Sequence, residues 1–464
     1  MKKIFLTACL AAGFTALFAE GYQVNLQSTK QAGMGHTGTA MKLGAESMHF
    51  NPAGLAFMDK KLDVSAGVSF VCSNVEYTAT GGSYTAQSES KPSTPIYLYA
   101  GYKVNKNLAA GISVTNPYGS GLKWPSDWNG AHLVQEISLK TFSIQPTFSY
   151  KLFDRISLGA GLMIFTGNVA IDRAMLPKGF GTLPAMISAH PLLTDDNKQA
   201  LGAMLGQYAD KIPAEAKLSG TSKVGVGYNI GAMFDITKQW TIGVSYRSEV
   251  KMKVEKGETA VSYAQGANQA VATLEQILGT TLAPIQNGAN FAASMPLPAN
   301  LNVGLSYKPN EKLILSADFQ YVFWSAYDSL NITFPNNYVS KQGKNYSNAF
   351  AVRVGGQYSV LSYLDARLGV YFDKTPVNST LYSPETPGAD KLGISAGLSF
   401  RPIKNFSIDA AFTYINGFKQ KDVYCPVGHP LAGITGQDAD GAPIFGGDYK
   451  VSAFMPSIGV SYKF

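Results

Sequence analysis

The stretch Leu62-Asp63-Val64-Ser65-Ala66-Gly67-Val68-Ser69-Phe70 decides the fold. Apolar residues stand at every second position with small or polar ones between them, and successive side chains of an extended strand point to opposite faces. The alternation returns at residues 96–104, 108–114, 142–150, 156–164, 224–234, 242–246, 301–307, 313–321, 350–354, 364–372, 392–400, 406–414 and 458–464, which makes fourteen strands. Their thirteen connections alternate between two kinds. Six are tight, with turn residues such as Asn105-Lys106-Asn107, Phe153-Asp154 and Pro309-Asn310-Glu311. Seven are long, near residues 75–94, 116–138, 168–222, 255–297, 327–349, 374–391 and 416–448.

Short turns on one side, long loops on the other and an even strand number predict an all-β, antiparallel, fourteen-stranded transmembrane barrel of the outer-membrane type. Composition agrees. Of 464 residues 45% are hydrophobic but only 15% charged, against roughly 25% charged in an average soluble domain. A soluble sandwich would expose a charged second face, whereas here that face is Ser, Thr, Gly, Asn and Tyr. Outside the extreme N-terminus no run of about 18 apolar residues occurs, which argues against spanning helices. Tyr and Phe gather near strand ends, as interfacial girdles do, and the last strand ends on Phe464, a terminus suited to the outer-membrane assembly machinery. Both chain ends then fall on the periplasmic side, and surrounding outer-membrane lipid is the first partner.

Residues 1–19 read as a secretory signal: Lys2 and Lys3, an apolar stretch from Ile4 to Phe18, then Ala19. Residues 20–60 are Gly-rich, do not alternate, and are placed to fold into the lumen as a plug; 61–464 form the barrel. Gly33-Met34-Gly35-His36-Thr37-Gly38 fits G-x-G-x-x-G, but no strand precedes it and no βαβ unit surrounds it, so a dinucleotide site is not expected. The formal charge of +7 is scattered without a basic stripe, so no nucleic-acid partner is expected. Barrel closure would bring Cys72 and Cys425 to neighbouring outer positions, where a disulfide and two free thiols are both open outcomes.

Several stretches carry a family resemblance: Gly33-Met34-Gly35 with Gly38; Asn51-Pro52-Ala53-Gly54 closing the plug; Asn116-Pro117-Tyr118-Gly119; residues 124–130; Pro298-Ala299-Asn300-Leu301; Asp318-Phe319-Gln320-Tyr321 with Trp324-Ser325; and residues 367–373 with Pro376. Over residues 21–464 the sequence resembles the FadL family of outer-membrane transporters for long-chain fatty acids and other hydrophobic molecules. The resemblance implies capture of a hydrophobic ligand in an extracellular groove, passage to an internal pocket, displacement of the plug's N-terminal end, and exit sideways through a defect in the third strand. It implies no cofactor. A monomer is expected.

The residues supply candidates for each step. Asn116-Pro117 cuts off the third strand, and Pro146 stands in the fourth, where a missing N–H removes a ladder bond; these are the candidates for a lateral opening, a simple bulge being the alternative. Thr194 can cap a helix with Leu201, Met204, Leu205, Tyr208 and Ile212 on one face, and Val271, Leu274 and Leu278 repeat the stripe in the next long loop. The groove between these helices is the expected docking site, unless they only cap the barrel. Alternation points Arg247, Glu249, Asp318, Arg353, Asp365, Arg367, Asp373 and Asp409 into the lumen; most should pair, and Arg247 is the candidate for holding a fatty carboxylate. Asn51, Pro52 and Ala53 are expected to fix the plug to the wall. No histidine stands in a strand beside a serine and the five are too dispersed for metal ligation, so neither an enzyme nor a metal site is expected. A passive diffusion porin and a surface adhesin are the alternatives to transport.

Overall fold

The structure is a computed structural model that describes residues 21–426, apart from 182, 190, 192 and 280, together with 444–464. The signal segment, His190 and His429 lie outside the described residues. Fourteen antiparallel strands close on themselves. They are β1 (Leu62–Ser69, continued as Cys72–Ala79), β2 (Thr85–Gln87 and Ile96–Lys103), β3 (Leu108–Thr115 and Gly119–Lys123), β4 (Glu136–Leu152) and β5 (Ile156–Ala174). Next come β6 (Ala214–Thr221 and Gly225–Asp235), β7 (Trp240–Arg247 and Val250–Tyr263), β8 (Asn290–Leu297 and Asn300–Tyr307), β9 (Leu313–Val322 and Ser329–Thr333) and β10 (Val339–Gly343 and Ala349–Leu361). The circle is completed by β11 (Leu364–Asp373), β12 (Lys391–Ile403), β13 (Phe406–Gly417 and Gln420–Pro426) and β14 (Ile444–Lys463). Closure runs from Asp63 opposite Lys463 to Ser69 opposite Ser457.

The alternating apolar residues face outward. Phe148 is 63% exposed and Leu368 69%, and Leu98, Ile112, Val226, Phe319, Ile394 and Ile458 share that face, while Ser65, Thr147, Ser149, Asn229 and Ser245 are buried inside. A polar interior wrapped in an apolar belt is what a barrel in lipid requires. At the short-turn end Trp240 stacks on Tyr307 with centroids 4.2 Å apart, an interfacial girdle contact.

The strands are longer on the loop side than the alternation indicates, because the polarity inverts there. In β4 the inward side chains are Ile137 and Leu139 toward the outside of the cell, then Thr141, Ser143, Gln145 and Thr147 lower down. In β7 Val250, Met252 and Val254 turn inward while Lys251, Lys253 and Glu255 are exposed. Above the lipid the outer face meets water and turns polar. In β4 the apolar residues change parity between Leu139 and Phe142, whereas in β7 they keep it and the break at Ser248-Glu249 turns them inward, so the alternation alone does not extend the strands this far.

Cys72 and Cys425 are free thiols. β1 continues past Cys72 to Ala79, so Cys72 lies opposite Phe454 and Cys425 opposite Phe445 on the two sides of β14. Nine residues of strand, about 30 Å, separate those levels, far beyond disulfide reach.

Residues 21–58 lie against the inward faces of the strands. Asn51 is fully buried: its Nδ2 reaches the carbonyls of Thr39 (2.8 Å), Ala232 (3.1 Å) and Val244 (3.3 Å), and its Oδ1 accepts from Ala53 N at 3.1 Å, capping the Pro52–Phe57 turn. Asp318 Oδ2 accepts from Gly38 N (2.7 Å), Thr39 N (2.9 Å) and Thr39 Oγ1 (2.8 Å). Lys30 stands 3.5 Å from Glu46 and 3.6 Å from Asp409 of β13. Such contacts need the plug backbone to touch the wall, and glycines in the wall allow it. A Cβ on Gly369 would lie 2.0 Å from Gly35 N, and one on Gly243 2.1 Å from Thr39 O.

The loop helices are Leu183–Ala189, not foreseen from the sequence, Asp195–Gly206, capped by Thr194 Oγ1 accepting from Asn197 N at 3.3 Å, and Ala267–Leu278. Tyr208 and Ile212 fall beyond the end of the second. Leu201, Leu205, Tyr208, Val271 and Leu274 are all buried in one apolar cluster over the barrel mouth, with Met204 and Leu278 packed against it. The Gly369→Val substitution should force the plug off the wall, at a cost of about 1–3 kcal/mol. The assembled barrel is expected to lose its heat-resistant migration at lower temperature and to admit sucrose into proteoliposomes; unchanged sucrose exclusion would refute the contact.

Candidate functional site

The inversion of polarity makes a cavity. Above the plug, Leu139, Ile171, Leu218, Val254, Phe291 and Ile332, one from each of β4 to β9, line one cavity. Its one ionisable acid is Glu385, which is buried and ion-paired with the fully buried Lys344. The remaining lining is nearly all apolar, so the cavity suits a greasy molecule. None of the eight loop-helix candidates lines it; they close the cap above. The strand residues that do line it were missed; the signal for those of β4 was the parity change at residues 137–139, whereas in β7 the apolar parity is unbroken and only the strand break at Ser248-Glu249 turns Met252 and Val254 inward.

Tyr22, near the start of the plug, forms part of the cavity floor. Its ring packs edge-on against Trp324 (4.8 Å between centroids) and Tyr327 (5.6 Å) and leans on Tyr118 (6.3 Å). Its hydroxyl donates to Pro296 O; burial raises the phenol far above its usual pKa and keeps that proton in place. Gly21 has φ +61°, and a Cβ there would sit 2.6 Å from the Trp324 ring, so only glycine fits.

Beneath Tyr22 lies a second space with polar walls: Gln23, Asn25, His36, His49, Tyr118 and Arg247 among them. Arg247 Nη2 donates to His49 O at 2.8 Å and Nη1 approaches Met163 Sδ at 3.0 Å. Burial, followed by the Arg247 and Arg353 charges, holds the His49 imidazole neutral; burial and Arg353 lower His36 to about 3. Of the other luminal charges expected from the alternation, Asp318, Arg353, Asp365, Arg367, Asp373 and Asp409 are buried, whereas Glu249 is half-buried.

The barrel wall is incomplete beside this chamber. The β2–β3 ladder ends at Tyr97 opposite Thr115, and β3 resumes at Gly119 paired with β4. Across the interruption Asn116 substitutes its side chain for the ladder, Oδ1 accepting from Ile96 N at 2.9 Å and Nδ2 donating to Thr141 O at 2.6 Å. The plug supplies the rest: Val24 N donates to Pro117 O (2.8 Å), Gly119 N to Tyr22 O (2.9 Å), and Gln23 pairs with Tyr118 as an antiparallel bridge. Pro146 lies elsewhere in the pairing. It faces Ile112 within a continuous β3–β4 register, and the positions it interrupts are on the β5 side, between Ile144–Ile164 and Thr147–Gly161. The sequence places Asn116 and Pro117 at the break, but only the fold brings Tyr22 to it.

A closed fourteen-stranded barrel, apolar outside, plugged within and carrying an apolar cavity above a wall break, defines an outer-membrane protein for hydrophobic compounds. Residues 9–464 match the family described as outer membrane protein transport protein (OMPP1/FadL/TodX), and the chain belongs to that family. The long-chain fatty acid transport protein of Escherichia coli strain K12 is 22% identical over 90% of this chain and 93% of its own length. A FadL homologue from Pseudomonas aeruginosa shares the fold with a TM-score of 0.76, 21% identity and coverage of 96% of this chain and 100% of that one. The toluene transporter TodX of P. putida matches with a TM-score of 0.66, 16% identity, and 97% and 99% coverage. The protein is a transporter of the outer membrane, and members of its family are transporters and channels, not enzymes.

Filling the cavity should empty it of ligand. Ala293→Trp, on its β8 wall, is expected to weaken retention of a co-purified hydrophobic molecule at least about tenfold, 1.4 kcal/mol. Native mass spectrometry of the detergent-purified barrel reads this; an equally occupied variant would show that ligand sits elsewhere.

Proposed function

We propose that this protein moves long-chain fatty acids inward across the outer membrane, by capture at the outer loops, descent into the apolar cavity, displacement of the plug's first residues, and sideways exit through the β3 break into the membrane. The observation that carries the reading is the position of Tyr22. One side chain floors the apolar cavity, while its backbone and its neighbours are hydrogen-bonded into the interruption of β3. Any shift of Tyr22 that opens the cavity floor also withdraws the groups that complete the wall. Ligand pressing on Tyr22 thus favours the open arrangement by the affinity it has for the enlarged space. The lengthwise likeness to a protein named for long-chain fatty acid transport supports the choice of cargo.

Cross-linking the plug to the break tests the path. In a background with Cys72 and Cys425 replaced by Ser, Gln23→Cys together with Tyr118→Cys places two thiols at bridged positions, where Cα separations suit a disulfide. Oxidised protein should transfer labelled oleate into proteoliposomes no faster than protein-free liposomes do, and reductant should restore the rate. Equal transfer in both redox states would sink the plug-displacement path. Toluene carried in place of oleate by the reduced protein would reassign the cargo.

A further inference from the structure

The apolar cavity carries one acid, Glu385 of the β11–β12 connection, and the transport path gives it no role. Its Oε1 accepts from Lys344 Nζ. Among the described residues no group donates to its other oxygen, Oε2. Lys344 is fully buried and does not line the cavity, so the cation stands behind the acid. The segment that presents Glu385 is tied down on each side. Trp124 Nε1 donates to Pro384 O at 3.1 Å, Gln342 Nε2 to Ser383 Oγ at 3.0 Å, and the Tyr346 hydroxyl to Thr386 Oγ1 at 3.0 Å. A second polar atom without a partner lines the same space: Ser120 of β3 is buried, and its Oγ meets no hydrogen-bonding group among the described residues.

A buried carboxylate with one oxygen unsatisfied is costly, and a methionine and a leucine in place of Lys344 and Glu385 would close the wall without that cost. The group that satisfies Oε2 must donate, and it must also respect charge. Glu385 and Lys344 together are neutral. An ammonium brought to this wall would leave a net positive charge in an apolar cavity, and a carboxylate a net negative one. The carboxylate would moreover face Glu385, with Lys344 out of reach behind it, so a fatty acid presents only its chain here. A hydroxyl donates without adding charge, and because it also accepts, it satisfies Ser120 equally well.

We propose that the cavity binds a second class of ligand, long-chain alcohols, whose hydroxyl donates to Glu385 while the chain lies along the apolar residues of β4 to β9. Glu385 is then the residue that sets this specificity, and Lys344 the counter-charge that allows an acid to stand in an apolar wall. The inference goes beyond the transport reading: it concerns which polar group the cavity accepts, not the cargo acid or the plug, and is read by binding rather than by transfer.

Myristyl alcohol and its isomer methyl tridecyl ether have nearly the same shape, but only the alcohol donates; the ether still accepts from Ser120, which isolates the contact to Glu385. The detergent-purified protein is offered equal amounts of both, the alcohol with a deuterated chain so that native mass spectrometry separates the isomers. The alcohol should be retained about tenfold over the ether. Ala293→Trp should release it, which places it in this cavity. Lys344→Met combined with Glu385→Leu should bring the ratio near one, and Lys344→Met combined with Glu385→Gln, which restores a neutral acceptor, should recover part of it. Equal retention of both probes by the wild-type protein, a preference that survives the Met and Leu pair, or alcohol still held by Ala293→Trp each overturns the inference, while oleate transfer reads the fatty-acid path separately. Should the paired variants not give heat-resistant barrels, Glu385→Asp with Lys344 retained decides: it draws the oxygen back by one methylene, and an undiminished preference overturns the proposal.

Discussion

Lipid offers no hydrogen bonds, so every backbone N–H and C=O that crosses it must be paired within the protein. Closure of β1 on β14 meets that demand around the whole circumference, down to Phe464 N donating to Leu62 O at 2.8 Å. One place departs from it. At Asn116–Tyr118 the neighbouring strand withdraws, and the vacated groups are taken up by an amide side chain and by the first residues of the plug. The wall there is sealed by non-covalent contacts from a segment that is not itself a strand of the barrel. The same rule that makes the rest of the barrel rigid therefore concentrates adaptability at one point.

A second constraint sets the interior. The plug needs its backbone close to the wall, and the lower lumen provides Ser, Thr, Asn and Gly at the inward positions, with Asn51 and Asp318 tying two plug turns to β6, β7 and β9. Higher up, beyond the lipid, the strands reverse their polarity, and the inward residues become Ile, Leu, Val and Phe. The apolar cavity and the polar chamber are two levels of the same alternation, separated by the ring of Tyr22. The apolar space lies on the loop side and the polar one beside the wall break.

Much of this was readable in the residues. Leu62 to Phe70 and its thirteen repeats specify strands, and the alternation of tight and long connections specifies a barrel with its loops on one side. Asn116-Pro117 marked the interruption of β3, and Thr194 marked a helix start. The loop helices illustrate the limit. Their stripes showed that Leu201, Leu205, Val271 and Leu274 need apolar partners, but not whether those partners are ligand or protein; the fold buries them in the cap. Pro146 looked equivalent to Pro117, yet its missing donor falls on the β5 side, a distinction that exists only once register is fixed. The alternation stops at Phe70, yet β1 runs on from Cys72 to Ala79, and that added length is what sets the two cysteines at different levels.

The sequence by itself determined the strand count, the face that meets lipid and the side that carries the loops, because a two-residue period and turn chemistry are local and survive without knowledge of neighbours. It also showed that residues 20–60 follow different rules. The tertiary structure alone decided what those residues do. That Tyr22 floors the cavity, that Val24 completes the wall at Pro117, and that Arg247 shares a chamber with the break all depend on contacts between residues roughly a hundred to three hundred positions apart. Local periodicity records which way a side chain points and is silent about what it meets there.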